Sequence, residues 1–293
     1  MIAGRAILPL NWPVDLALTV ASHGWAYLAP FSWDGETGVL ARSERFGNRL
    51  GTVAIRQSGA AAITVSWRGI EAAPGQEIFA RVRRWLSADW DPSAAIAALG
   101  EHRALIERGG GRLLRGSCFY EDFAKTVLTI NTNWTASCRM AASLVAEPGG
   151  GAFPAPLAIL DYGEERLRGR AKLGFRAATL VRTTRQMLED GVVGDNGAAP
   201  DPDRPDYEYL LALKGIGPYA AAHCRLLLGD FSRIPVDSSV TFYLRDRYGS
   251  TPAEFAASRS SWGGHLALGY KLGRLAEKLE AASPISPPAE KVA

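Results

Sequence analysis

The stretch LKGIGPYAAAH, residues 213–223, is followed a few residues later by IPVDSSV, residues 234–240. The first segment holds two glycines around one isoleucine, and then a proline. The second holds one carboxylate among apolar and hydroxyl residues. A helix that begins at DYEYLLALK must stop at Gly215, where glycine can take the left-handed conformation of a C-terminal cap. Ile216 then plugs a short loop, and Gly217 leaves room for something to approach the backbone. Pro218 opens the next helix, where its missing N–H costs nothing. The free N–H groups at that helix start suit an anion such as a phosphate. Glycine turns between helices are also common, so a plain turn is the competing reading. Asp237 has two readings as well. It is a good N-cap for the helix that SSVTFYL starts. It is also a lone carboxylate, partly dried by Ile234, Pro235 and Val236, one helix beyond the turn, and such a group can stabilise a sugar cation and orient a water.

Outward from this pair, the chain divides by pattern. DLALTVA, GWAYLAPFSW, GVLARSERF, GTVAIRQ and AAITVSW are short, rich in Val, Ile, Thr and aromatics, and separated by glycine and asparagine turns, so they read as strands. EIFARVRRWL has helical spacing, with Ile78, Phe79, Val82 and Trp85 on one face. SADWDPSAAIAAL restarts as a helix, with Asp91 as a cap and Pro92 in its first turn. Beyond it, FYEDFAKTVLTIN, NWTASCRMAASLV, GFRAATLVRTTRQMLEDG, YAAAHCRLLLGD, SVTFYLRDRYG and GHLALGYKLGRLAEKLEAA all carry helical stripes. VVGDNGAAPDPDRPD is a loop, and SPISPPAEKVA is a frayed, disordered tail. The expected architecture is α+β: an N-terminal antiparallel β-sheet domain over residues 1–90, then an all-helical domain over 91–293.

Composition bounds the chemistry. The chain has 293 residues, 47% hydrophobic and 22% charged, with a net charge of +3, which permits a polyanionic partner without requiring one. Cys118, Cys138 and Cys224 lie far apart without a CxxC, so a disulfide framework, a zinc ribbon and a cysteine-held iron–sulfur cluster lack ligands. No run approaches the roughly 20 apolar residues of a membrane span, and the start lacks a secretory core. The expectation is a cytoplasmic protein.

LKGIGPYAAAHCRLLL with IPVDSSVTFYLRDRYG resembles the helix-hairpin-helix DNA glycosylase superfamily, also called HhH-GPD. FYEDFAKTVLTINTNWTASCRM resembles the helix and turn that enter the duplex beside the flipped base. KLGFRAATLVRTTRQMLEDG resembles the family's LGYRA helix, and SRSSWGGHLALGYKL its closing helix. The sheet resembles the extra domain of the 3-methyladenine and 8-oxoguanine branch. The likeness is strongest from 119 to 272. It implies that Gly215, Ile216, Gly217 and Tyr219 meet DNA, together with Asn131 and Asn133 of the intruding turn. It implies Asp237 as the catalytic carboxylate and a monovalent cation, K⁺ or Na⁺, on the backbone carbonyls of Leu211, Leu213 and Ile216; no other cofactor is implied. Bifunctional members place a catalytic lysine where this chain has Tyr219, so the resemblance implies base release without strand cleavage, unless Lys214, Lys125 or Lys172 reaches the site.

A flipped base is held by stacking and edge hydrogen bonds. Trp134, Tyr219, Trp25, Phe31 and Trp262 are the candidate pocket residues, each with a core-packing alternative. His23, His223 and His265 have no metal-ligand spacing. The expected partner is double-stranded DNA carrying a modified base, bound by a monomer in the nucleoid. An alkylated purine comes first, because aromatic surface suits cationic bases. Oxidised guanine and a hypermodified base of foreign DNA are the alternatives, and a non-catalytic DNA-binding protein is the alternative of another class.

Overall fold

A computed structural model describes residues 3–70 and 75–282. Five strands, β1 (Ala3–Pro9), β2 (Phe31–Asp34), β3 (Val39–Phe46), β4 (Arg49–Gly59) and β5 (Ala62–Arg68), form one antiparallel sheet in the order β1-β5-β4-β3-β2. Leu40, Ile55 and Val65 are register partners across three strands, and all are buried. Their neighbours Thr52 and Arg56 face outward, which is the period-two pattern of a half-buried sheet. The helix Gly75–Trp85 turns Ile78, Val82 and Trp85 into the core, the i, i+4, i+7 stripe expected of it.

Two segments expected as strands are not. DLALTVA forms a short helix, Leu16–Val20, because Asp15 caps it by accepting from Leu18 N at 3.0 Å. The Leu16 N–H is taken by Gln57 Oε1 at 2.9 Å, outside any strand ladder. In GWAYLAPFSW, Gly24–Tyr27 is a 3₁₀ turn, and β2 begins only at Phe31. Local capping has overridden apolar, β-prone composition here. β1 was not legible because it is an edge strand on β5 and buries few residues, so its alternation is weak.

After the sheet the described chain is helical. The helices that position the site are Phe119–Thr129, Trp134–Ala146, Arg176–Glu189, Tyr207–Ala212, Pro218–Leu227, Ser238–Tyr248 and Leu266–Ala282. One continuous core runs from sheet to helices. Polar ties cross it too: Arg42 of β3 grips Glu121 bidentately at 2.9 and 3.1 Å, and Trp25 Nε1 donates to Asp122 at 2.9 Å. No described helix is long and apolar enough to cross a membrane. The tail read as frayed, residues 283–293, lies outside the described residues.

Candidate active site

The hairpin forms where the glycines place it. Asp206 caps the helix Tyr207–Ala212 by accepting from Tyr209 N at 2.7 Å. The chain then turns, with Ile216 N donating to Leu213 O at 3.0 Å and the Ile216 side chain buried. Gly215 has φ +98°, and a Cβ there would sit 2.9 Å from Thr179. Glycine is required at this position on both counts. Gly217 is different. Its backbone is extended, as the N-cap of Pro218–Leu227, and no protein atom lies within 4 Å of where a Cβ would stand. Its open side faces outward at a helix start with unpaired N–H groups.

Asp237 fulfils its capping role: Oδ1 accepts from Val240 N at 2.7 Å and sets the start of Ser238–Tyr248. The residue is exposed, and it also lines a cavity of about 490 Å³. A cap and a working carboxylate are therefore not alternatives; the cap bond fixes one oxygen and orients the other. Five separate parts of the chain meet around this cavity, one of them the segment Gly111, Arg112 and Leu113. Ser22, His23, Gly24 and Tyr27 come from the turn before β2. Tyr219 and His223 come from the hairpin helix. Asp237 comes from the loop after it. Tyr270, Lys271, Arg274 and Lys278 come from the helix Leu266–Ala282.

The electrostatics are uneven. Burial, helped by Lys271, drives the His223 imidazole down to about 3. Burial and Lys271 also hold His23 well below the usual histidine range. Both rings are neutral at neutral pH. Burial lowers the Lys271 ammonium to about 8, assisted by Arg274 and Lys278 and opposed by Asp237. Burial raises the Tyr219 phenol, and the Asp237 charge adds to that rise.

The expected pocket residues separate into two groups. Tyr219 lines the cavity, stacked on His223, with its hydroxyl 3.3 Å from Thr129 Oγ1. Trp134 is not on the lining itself; it is half exposed and packs against Gly24, which is, and a Cβ at Gly24 would collide with its indole. Trp25, Phe31 and Trp262 do not line it. Trp25 is buried behind it, with its N–H on Asp122. Phe31 is buried against Trp85, with the Arg42 guanidinium over its ring. Trp262 is buried against Phe255 and His102. Each sits in the core, where an aromatic ring removes a large apolar area from water.

Asn131 is exposed at the tip of the turn between Phe119–Thr129 and Trp134–Ala146, with φ +48°, and Arg176 Nη2 holds its carbonyl at 2.9 Å. A non-glycine residue kept in that region by a buried arginine is a point of local strain of the kind found at functional sites. Asn133 caps the next helix by accepting from Ala136 N at 2.9 Å. Leu211 lies in the last turn of its helix, and Leu213 and Ile216 lie in the hairpin turn.

Lys214 and Lys172 do not line the cavity, and Lys125 is fully buried on Glu121 at 2.7 Å. Two lysines that do line it, Lys278 and Lys271, were missed, and Lys271 is the one tied to the facing turn. Its spacing to Arg274 and Lys278 marks one helix face, but nothing in the sequence says that this face meets Ser22, 249 positions away.

No protein-family model matches the chain, and no curated protein matches it. Solved structures do. It is similar to the 3-methyladenine DNA glycosylase of Archaeoglobus fulgidus, with a TM-score of 0.68 and 20% identity over 91% of this chain and 97% of that one. It is similar to the 8-oxoguanine glycosylase/lyase of Clostridium acetobutylicum in its apo form, with a TM-score of 0.67 and 16% identity over 92% and 94%. The same Clostridium enzyme in complex with double-stranded DNA gives a TM-score of 0.63 and 14% identity over 95% and 99%. The chain thus has the fold of the helix-hairpin-helix DNA glycosylases, as the sequence resemblance implied.

Proposed function

We propose that this chain is a DNA N-glycosylase that flips a damaged or modified base out of the duplex and hydrolyses its N-glycosidic bond, leaving an abasic site. The observation that carries the reading is Asp237: a capped, oriented carboxylate on the wall of a cavity, one helix beyond a hairpin whose glycine is open to the outside. The hairpin amides hold phosphate and position the strand, reading no sequence. Asp237 stabilises the positive charge that develops on the sugar as the base departs, and it orients the attacking water. Asn131, at its strained turn, reaches the space that the flipped nucleotide vacates. Tyr219 offers a ring face on which the base can stack.

The carbonyls of Leu211, Leu213 and Ile216 are neutral oxygen donors at a helix end, which fits a hard monovalent cation steadying the hairpin. No step of the reaction needs it. The protein acts as a monomer on double-stranded DNA in the cytoplasm. With Trp25, Phe31 and Trp262 withdrawn into the core, the ring surface that favoured a cationic alkylated purine is smaller than the sequence promised.

The test is alkali cleavage of duplexes carrying single modified bases after incubation with the protein. Alkali-labile sites that appear with the wild type and not with Asp237→Asn support the reading. If no modified duplex acquires such sites while the protein still binds DNA, the non-catalytic reading holds instead.

A further inference from the structure

We propose that Lys271 is the specificity-determining residue of the cavity: its ammonium donates to the acceptor edge of an uncharged base and keeps cationic alkylated purines out. The inference rests on the glycosylase reading and goes beyond it by naming the class of base.

Lys271 is half-buried on the cavity wall, and its one hydrogen-bond acceptor among the described residues is Ser22 O at a long 3.3 Å. An ammonium carries three donors. The geometry leaves donors for a ligand. His23, its neighbour on the same wall, has a buried Nε2 with no partner, while its Nδ1 meets Ser22 Oγ at 2.9 Å. A buried polar atom without a partner is costly, so the wall beside Lys271 carries an unmet polar group as well.

The charges around Lys271 come from every side of the cavity. On its own helix stand Arg274 and Lys278, both cations, and Tyr270, whose phenol burial raises. The hairpin helix presents neutral His223 and Tyr219. The turn before β2 presents neutral His23 and the Tyr27 ring. Arg112 also lines the cavity, but its guanidinium is turned onto the carbonyls of Pro13, Ser87 and Trp90. The one carboxylate is Asp237. A base with a positive charge would therefore sit beside three cations and one anion. A base with carbonyl oxygens on its exposed edge gains a charge-assisted hydrogen bond instead, roughly twice as strong as a neutral one. A site built to donate to such an edge also rejects a base that lacks it, because the donor is then left buried and unpaired. This favours the oxidised or hypermodified class over the alkylated one.

The experiment uses the full chain and two matched duplexes, one carrying 8-oxoguanine, uncharged and rich in acceptors, and one carrying N7-methylguanine, a cation. Single-turnover release is measured for the wild type, Lys271→Met and Lys271→Arg, each checked by thermal melting for an intact fold. The expected result is faster release of 8-oxoguanine by the wild type, a loss of tenfold or more in Lys271→Met on that duplex only, and partial rescue by Lys271→Arg. Release of 8-oxoguanine by the wild type should fall as pH rises through about 8, where Lys271 loses its proton. That fall should be absent in Lys271→Arg. Faster release of N7-methylguanine by the wild type overturns the proposal, as does an equal loss on both duplexes in Lys271→Met. In either case the glycosylase reading stands, provided Asp237→Asn is inactive. Release of neither base overturns this proposal alone, and the wider panel of modified duplexes decides the glycosylase reading.

Discussion

The ring of Tyr219 lies parallel to that of His223, with their planes 7° apart and their centroids 5.8 Å apart. The pair places a flat surface at the first turn of the hairpin helix, between Gly217 and the cavity. The Tyr219 hydroxyl has only a long contact to Thr129, so the ring carries the contribution. Tyr219→Phe is expected to keep near-parental release. Tyr219→Ala should lose about 1–3 kcal/mol of stacking, a fall of roughly tenfold to a hundredfold in single-turnover rate. Equal behaviour of the two variants would remove the ring from the base site.

Asp237→Asn should reduce base release by at least about a hundredfold, the usual cost of removing a preorganised charge at a developing cation. Fold and duplex binding should persist, because asparagine caps a helix as well as aspartate does, and the bond to Val240 N needs only a side-chain oxygen. Circular dichroism and gel shift check the second claim, and a quenched time course checks the first.

Gly217→Val tests the hairpin from outside. Its extended backbone accepts valine, and beyond its chain neighbours no protein atom lies within 4 Å of the new Cβ, so stability should hold. Binding should weaken tenfold or more on damaged and undamaged duplex alike, with a shallower salt dependence. Gly215→Val would be uninformative, since φ +98° and Thr179 make it a folding defect first.

Much of this was legible in the sequence because it is local. The hairpin, its proline and the cap at Asp237 are each written within about ten residues, and the caps and glycines enforce them. The cavity is not local. Ser22 and Lys271 meet only because the sheet and the last helix share a core, so no periodicity reports their contact. Aromatics mislead for a related reason. Trp25, Phe31 and Trp262 look like Tyr219 in sequence, and only packing decides which ring faces in and which faces a ligand.

The buried charge cluster under the sheet sets a pH dependence of stability. Burial pushes the Glu121 carboxyl up, but Arg42 and Lys125 outweigh it and hold it at about 2. A depressed acid stabilises fully above its unfolded value of about 4.3 and loses that contribution as pH falls toward 2. Neighbouring Asp122 acts with the opposite sign, since burial raises it. The comparison is therefore wild type against Glu121→Gln. The variant should be less stable by about 3–5 kcal/mol at neutral pH, because Lys125 loses its carboxylate partner in the core and Arg42 keeps only Glu44. The gap should narrow between about pH 4 and 2, as urea denaturation at each pH would show; a constant gap would mean that Glu121 is not ionised.

The product decides whether the reaction ends with the base. At the position where bifunctional members resemble this chain but carry lysine, Tyr219 offers no amine, so the hairpin cannot form an imine. Lys125 is sealed against Glu121 in the core, and Lys214 and Lys172 lie off the cavity wall. That leaves Lys271. Burial keeps its amine near 8, so a fraction is unprotonated at neutral pH, and it shares the cavity with Asp237. Its ammonium is tied to Ser22 O, and in the proposed role it serves the base edge, not the sugar. Wild-type reactions should therefore yield intact strands in neutral buffer and cut strands only after hot alkali. Borohydride should trap no protein–DNA adduct. Neutral-buffer nicking with a trapped band that Lys271→Met abolishes and Tyr219→Phe keeps would make Lys271 a nucleophile and end the hydrolysis-only reading, leaving base excision itself in place.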